Sequence, residues 1–242
     1  MFNRSLLKKV LYTAAVDSHI LHFYLPYLKW FKDQNFEVHV ATNGNANIPF
    51  ADVKHNIPFE RSPFKLGNVK VYMVLKQLIK KHNYQIIHWH TPTGGVLTRL
   101  AAKKARKRGT KVLYTAHGFH FFKGAPFTNW LLYYPLKKWL ATFTDCLITI
   151  NEEDYARAKK FMLKSTKLVN GVGINLKIFT PQTEELKTEL RKTYQYQLDD
   201  FILLFVEELN ENKHQDLLIE AVSLLQGKIP NLKYYCRRWE LY

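Results

Sequence analysis

Residues 85–116 read QIIHWHTPTGGVLTRLAAKKARKRGTKVLYTA, and the order of patterns along that stretch decides the fold class. Gln85–His90 is a short run of apolar, β-branched and aromatic residues, the composition of a buried strand. Gly94–Arg108 reads as a helix, and Lys111–Ala116 as a second buried strand. A strand, a helix and a strand in that order make a βαβ unit, whose strands run parallel. Upstream, Lys9–Val16 (KVLYTAAV) is a strand, His19–Gln34 a helix bent near Pro26, and Phe36–Thr42 a strand ended by Asn43 and Gly44. A short strand is expected over Asn56–Phe59. Asn68–His82 then has helical spacing, with Val71, Val74, Leu75, Leu78 and Ile79 on one face. Downstream, Phe127–Thr142 is a helix kinked at Pro135, and Cys146–Ile150 a strand. Asn151–Leu163 is a helix capped by Asn151 with Asp154 three residues on, and Lys167–Asn170 a last strand. Alternation of this kind predicts an α/β, Rossmann-like parallel sheet with helices on both faces and right-handed crossovers.

Beyond this sheet the pattern changes. Pro181–Gln197 is polar and charged and reads as a linker helix. Asp200–Val206 is a new apolar strand, Asp216–Leu225 an amphipathic helix and Leu232–Cys236 a further strand, so a second α/β unit begins and stops at β-α-β. The expected organisation is residues 1–178, a linker over 179–198, and an incomplete unit over 199–242. A unit that small does not hold a stable core alone.

Composition narrows the partners. With 47% hydrophobic and 23% charged residues the chain is not a disordered one. Its net charge of +16, from 36 basic and 20 acidic residues, favours nucleic acid, an anionic membrane surface or phosphorylated substrates. No recognised nucleic-acid motif is present, so no nucleic-acid partner is expected. The two cysteines, Cys146 and Cys236, are 90 residues apart and support neither a disulfide framework nor a cysteine zinc site. Met1–Val10 has no signal-peptide core, and the longest uncharged apolar run, Trp130–Leu136, is far short of a span. The expectation is a protein that lies on a membrane or in solution.

Ligands of open parallel sheets bind beyond the carboxyl ends of the strands. Those ends carry Asp17-Ser18-His19 with His22, then His88-Trp89-His90-Thr91-Pro92-Thr93-Gly94-Gly95, His117-Gly118-Phe119-His120, Asn151-Glu152-Glu153 and Asn170-Gly171-Val172-Gly173. Six of the ten histidines fall there, a concentration that single structural histidines do not account for. Three site types compete. Closely spaced histidines can hold a metal, but no cysteine or carboxylate completes a known ligand spacing, and no metal is expected. A dinucleotide site needs a glycine-rich turn after the first strand, and AAVDSHI contains no glycine. A phosphate and sugar site uses helix N-termini and close backbone approach, which Gly94, Gly95 and Gly118 permit.

Two basic stretches have alternative readings. Arg99–Lys111 holds seven lysines and arginines in thirteen residues, as a solvated helix face does. Phe119–Trp139 mixes Phe121, Phe122, Phe127, Trp130, Tyr133, Tyr134 and Trp139 with Lys123, Lys137 and Lys138. It suits either an interfacial membrane anchor or a core helix with a wet face.

The segments VDSHI (Val16–Ile20), HTPTGG (His90–Gly95), YTAHGFHFFKGAP (Tyr114–Pro126), TDCLITINEEDY (Thr144–Tyr155) and LVNGVGIN (Leu168–Asn175) closely resemble family 4 glycosyltransferases of bacterial capsular and exopolysaccharide synthesis. The resemblance runs from Lys9 to Leu232. It implies a GT-B fold, in which two Rossmann-like domains face a cleft. It implies transfer of a sugar, with retention, from a nucleotide diphosphate donor, usually UDP-linked. The implied acceptor is a polyprenyl-diphosphate-linked saccharide on the cytoplasmic face of the membrane. No cofactor is implied beyond the nucleotide sugar itself. The family's active-site histidine matches His117, with Gly118 and Phe119 beside it. Asp17, Ser18 and His19, with His90, Thr91, Gly94 and Gly95, match regions lining the acceptor side. Asn170 and Gly171 match the exit toward the hinge. A sugar-nucleotide epimerase shares this fold, and a non-catalytic acceptor-binding remnant is the other alternative.

The chain departs from the family pattern twice. FILLFV is followed by Glu207, Glu208 and Leu209, where the family places a glycine before Glu-Leu. After Leu232 and Lys233 the text becomes YYCRRWELY in place of a hydrophobic strand and a glycine-rich turn. The family's donor-phosphate residues and paired glutamates are missing. The expectation from this is a truncated transferase with little activity of its own.

Overall fold

The computed structural model describes residues 7–60, 65–90, 92–161, 163–171, 173–207, 209 and 213–238. Its first strand shows why the sheet forms. In β1 (Lys9–Val16) alternate side chains point to opposite faces, and both faces are covered. Val10, Tyr12 and Ala14 pack with Ile20, Tyr24 and Leu28, from α1 (Asp17–Phe23), the break after it and α2 (Leu25–Asp33). Leu11 faces the other cluster, with Leu75 and Ile79 from α3 (Gly67–His82) and Ala101 and Ala105 from α4 (Pro92–Lys107).

The remaining strands of the first unit are β2 (Glu37–Asn43), β3 (Val53–Asn56), β4 (Ile86–Trp89), β5 (Lys111–Ala116), β6 (Cys146–Thr149) and β7 (Ser165–Leu168). Together with β1 they form one seven-stranded sheet in the order β3-β2-β1-β4-β5-β6-β7, every pair parallel. The two remaining helices of this unit are α5 (Phe127–Ala141) and α6 (Glu152–Ala158). The α/β, Rossmann-like fold class expected from the alternation is therefore present.

Local differences have local causes. The expected single helix over His19–Gln34 is two helices broken at Tyr24, one residue before the Leu25-Pro26 start of α2. The expected strand over Asn56–Phe59 lies at Val53–Asn56. Ile57 still donates its N–H to Thr42 at 2.8 Å, but Pro58 has no N–H and the ladder ends. Val74, expected on the buried face of α3, is 40% exposed, whereas Val71, Leu75, Leu78 and Ile79 are buried. The last helix of the unit closes at Ala158 rather than Leu163, although Asn151 caps it as expected, accepting from the Asp154 N–H at 2.8 Å.

The chain divides into residues 1–173 and 174–242. The second unit contains α7 (Glu184–Thr193), β8 (Phe201–Glu207), α8 (Gln215–Leu225) and β9 (Leu232–Arg238), with β8 and β9 parallel. No residue of α7 or α8 is buried. Thr183 caps α7, and Arg191 donates to the carbonyls of Gln197 and Asp200. Glu207 ends β8 in an ion pair with Lys213 at 2.8 Å. Glu208 lies outside the described residues.

Candidate functional site

The strand order reverses direction at β1 and β4: connections from β1 run toward β3, and those from β4 run toward β7. A crevice beyond the carboxyl ends of those two strands is where sheets of this kind bind ligands. Three histidines converge there from three different elements. His19 lies in α1, directly after β1. His90 follows β4, and His117 follows β5. One nitrogen from each ring lies within 4.8 Å of the others. The His19 and His117 rings meet edge-on with centroids 5.1 Å apart. His90 stacks on Tyr12 at 5.7 Å and 7°.

Tyr24, absent from the sequence expectations, joins them. It sits at the break between α1 and α2, is buried, and its hydroxyl lies 2.6 Å from His117 Nε2. The break itself was legible in Pro26; the contact, made across 93 residues, was not. His88, on the same face of β4 as His90, bonds Thr115 Oγ1 at 2.9 Å.

The cluster is uncharged at neutral pH. Burial lowers His88 to about 3 and His19 to about 4, with the neighbouring His117 adding to both shifts. Burial also holds His90 well below the usual imidazole range and lowers His117. Both nitrogens of His90, and Nε2 of His19, are buried with no hydrogen-bond partner among the described residues. Unsatisfied buried nitrogens of this kind are ready acceptors or donors for a polar ligand.

The backbone beside His117 is held by the first turn of α6. Asp154 accepts the Phe119 N–H at 3.0 Å, and Glu153 accepts that of Lys123 at 2.7 Å. The Phe119 side chain is buried in the core, stacked on Phe121 at 4.8 Å. Gly118 has φ +151°, which disfavours a side chain, and a Cβ there would meet nothing within 4 Å among the described residues. The backbone at Gly118 is therefore open to a ligand.

Other candidates go elsewhere. Asp17 is buried, but its carboxylate turns to the loop after β2. There it accepts from Thr42 Oγ1 at 2.5 Å, the Ala46 N–H at 2.8 Å and Lys54 Nζ at 2.6 Å. Burial alone would raise its pKa, but these bonds, Lys54 foremost, outweigh it and hold the group below the usual carboxylate range. Ser18 accepts from His22 Nδ1 through its carbonyl at 2.6 Å. Gly94 and Gly95 are buried at the start of α4, and a Cβ on Gly95 would lie 2.1 Å from Trp89 Nε1. Asn170 and Gly171 are exposed past β7. Thr91 lies outside the described residues. His120 leaves the cluster and packs on Tyr133 at 4.7 Å.

The basic, aromatic helix α5 has two sides. Trp130, Tyr133 and Tyr134 pack against the core. Phe127, Leu131, Leu132, Leu136 and Trp139 are exposed beside Lys138. Lys137 is buried and donates to Tyr114 Oη at 2.7 Å. Among the described residues no helix is long and apolar enough to cross a membrane.

Residues 9–151, more than half of the chain, match the family model described as glycosyl transferase 4-like. The chain belongs to that family. It is 54% identical over 228 residues to "Putative glycosyltransferase EpsD" of Bacillus subtilis (strain 168), covering 93% of this chain and 60% of the relative. It is 28% identical over 164 residues to a UDP-Gal:alpha-D-GlcNAc-diphosphoundecaprenol alpha-1,3-galactosyltransferase of Escherichia coli, covering 66% of this chain and 41% of that one. The chain thus spans less than two thirds of the length of these relatives. Sucrose-phosphate synthase from Thermosynechococcus elongatus has the same fold, with a TM-score of 0.61 at 14% identity over 95% of this chain and 70% of that one. So does a UDP-GlcNAc 2-epimerase from Neisseria meningitidis, with a TM-score of 0.60 at 13% identity over 96% of this chain and 66% of that one.

Proposed function

We propose that this glycosyl transferase 4-like chain is the acceptor-side part of a retaining glycosyltransferase. The enzyme moves a sugar from a nucleotide-diphosphate donor, UDP-linked, to a polyprenyl-diphosphate-linked saccharide during cell-surface polysaccharide synthesis. The observation that carries the reading is the uncharged His19–His90–His117 cluster at the sheet's reversal point, in which His19 Nε2 and both His90 nitrogens have no partner among the described residues. The lipid-diphosphate acceptor and the UDP donor are supported by the name of the Escherichia coli relative.

In this reading His117 orients a hydroxyl of the reacting sugar and stabilises developing charge, and it is not a nucleophile. In the tautomer in which the Tyr24 phenol donates to Nε2, the neutral ring carries its proton on Nδ1 and can donate it to an oxygen. His19 and His90 supply further neutral nitrogens for acceptor hydroxyls, and Gly118 lets the chain approach closely. The exposed apolar side of α5 and the charge of +16 hold the protein on the anionic inner face of the cell membrane, beside the lipid-linked acceptor. Asp17 acts by shaping the loop over residues 44–46, and Gly94 and Gly95 by bringing α4 against Trp89.

The test joins this chain to the remaining length of its Bacillus subtilis relative. Radiolabelled UDP-sugars are supplied with membranes carrying polyprenyl-diphosphate saccharides, and label is counted in the lipid fraction. His117→Ala should lower transfer by at least about 100-fold, and Tyr24→Phe by about tenfold, the worth of one good hydrogen bond. Unchanged transfer in His117→Ala removes the cluster from the chemistry. A changed nucleotide sugar formed without acceptor makes the protein an epimerase.

A further inference from the structure

A second histidine cluster lies away from the reversal point, near the starting ends of β1 and β2. His39 is in β2, His55 in β3, and His82 is the last residue of α3. One nitrogen from each ring lies within 4.8 Å of the others. We propose that His39, His55 and His82 bind one divalent transition-metal ion of the zinc class, with water completing the coordination.

The hydrogen bonds around His39 prepare it for this role. Glu37 accepts from His39 Nε2 at 2.7 Å and pairs with Lys9 at 2.9 Å. Paired with the Lys9 ammonium, the Glu37 carboxylate is an acceptor only. His39 Nε2 therefore carries the proton, and Nδ1 presents its lone pair. That lone pair faces His55 Nε2 at 3.1 Å. A carboxylate fixing the far nitrogen of a ligating histidine is the usual arrangement behind metal sites.

The distances suit the ion. Zinc bound tetrahedrally to imidazole nitrogens at about 2.0–2.1 Å separates them by about 3.4 Å. His39 and His55 already stand near that value at 3.1 Å, and the His82 nitrogen, within 4.8 Å of the others, closes by at most about 1.4 Å. His39 is fully buried, while His55 and His82 are half-buried and leave one side open to water. Three imidazoles select zinc, copper, nickel or cobalt; magnesium and calcium require oxygen donors. Two features oppose binding. The Tyr84 hydroxyl, 2.7 Å from His39 Nδ1, must release that nitrogen, and Lys9 and Lys81 place positive charge nearby.

The test uses the 242-residue chain expressed without a histidine tag. Zinc is titrated by calorimetry, and cobalt is followed by the visible absorption of its tetrahedral form. The expected result is one equivalent bound with Kd on the order of micromolar or tighter. His55→Gln and His82→Gln should each weaken binding at least about tenfold, and Glu37→Gln by about 10–100-fold. Zinc should raise the melting temperature of the parent protein, and raise that of His55→Gln by less at the same zinc concentration. His19→Gln, in the other cluster, should bind zinc as the parent does. No binding tighter than on the order of 100 µM, binding indifferent to His55 and His82, or binding lost only in His19→Gln each overturns the proposal.

Discussion

Gly95→Ala tests whether this glycine is fixed by packing. In an ordinary helix interior, glycine to alanine gains about 1 kcal/mol from propensity. Here the new Cβ would lie 2.1 Å from Trp89 Nε1, 2.4 Å from Cδ1 and 3.2 Å from Cε2. The indole cannot swing away. It is fully buried, stacked on Tyr114 at 5.1 Å and 10°, with the Arg99 guanidinium 4.9 Å from its ring. Forcing a methyl group into such a site costs about 1–3 kcal/mol or more; with contacts this close the upper end applies, and set against the propensity gain the net loss reaches about 2 kcal/mol. At this chain length that lowers the melting temperature by roughly 4–8 °C. The assay is thermal unfolding followed by far-UV circular dichroism. Gly67→Ala is the control. Its Cβ would meet only the end of the Glu60 side chain, at 2.1 Å, and a partly exposed carboxylate can move aside. That variant should change the melting temperature by less than half as much. A Gly95→Ala protein as stable as the parent, or more so, refutes the packing argument.

Two further outcomes follow from the titratable groups. His19 and His88 are held neutral at about 4 and about 3, below the unfolded value near 6.5. Below that unfolded value the unfolded chain binds protons that the folded one does not. Stability is therefore full above pH 6.5 and falls as the pH drops, by about 2 kcal/mol per histidine on reaching pH 5. Urea midpoints measured between pH 7 and 5 should fall steadily, and midpoints that hold constant would show the histidines are not kept neutral. Asp17→Ala removes the acceptor of three hydrogen bonds and leaves Lys54 without its carboxylate, at a cost of about 3 kcal/mol. Asp17→Asn should recover part of that loss, since it keeps an acceptor for the Ala46 N–H. Equal midpoints for Asp17→Ala and the parent protein would show that the carboxylate anchors nothing.

By itself the sequence determined the kind of structure this chain adopts. Short apolar runs separated by helical spacing admit a parallel sheet covered on both faces, and β1 and β5 begin and end at the residues their patterns indicate. The strand ends also marked His19, His90 and His117, because ligand-facing residues of such sheets follow their strands. Convergence of those residues was decided only by the tertiary structure. His90 and His117 lie 27 residues apart in the chain and become neighbours because β4 pairs with β5 in register. His120, three residues beyond His117, turns away to Tyr133. Tyr24 meets His117, and the Asp17 carboxylate turns to Lys54, through contacts that no local pattern encodes. His39, His55 and His82 carry no shared spacing, since two strands and a helix end supply one ring each. Local propensity acts over a few residues, whereas strand order, register and the face on which each side chain emerges are set once the whole sheet is assembled.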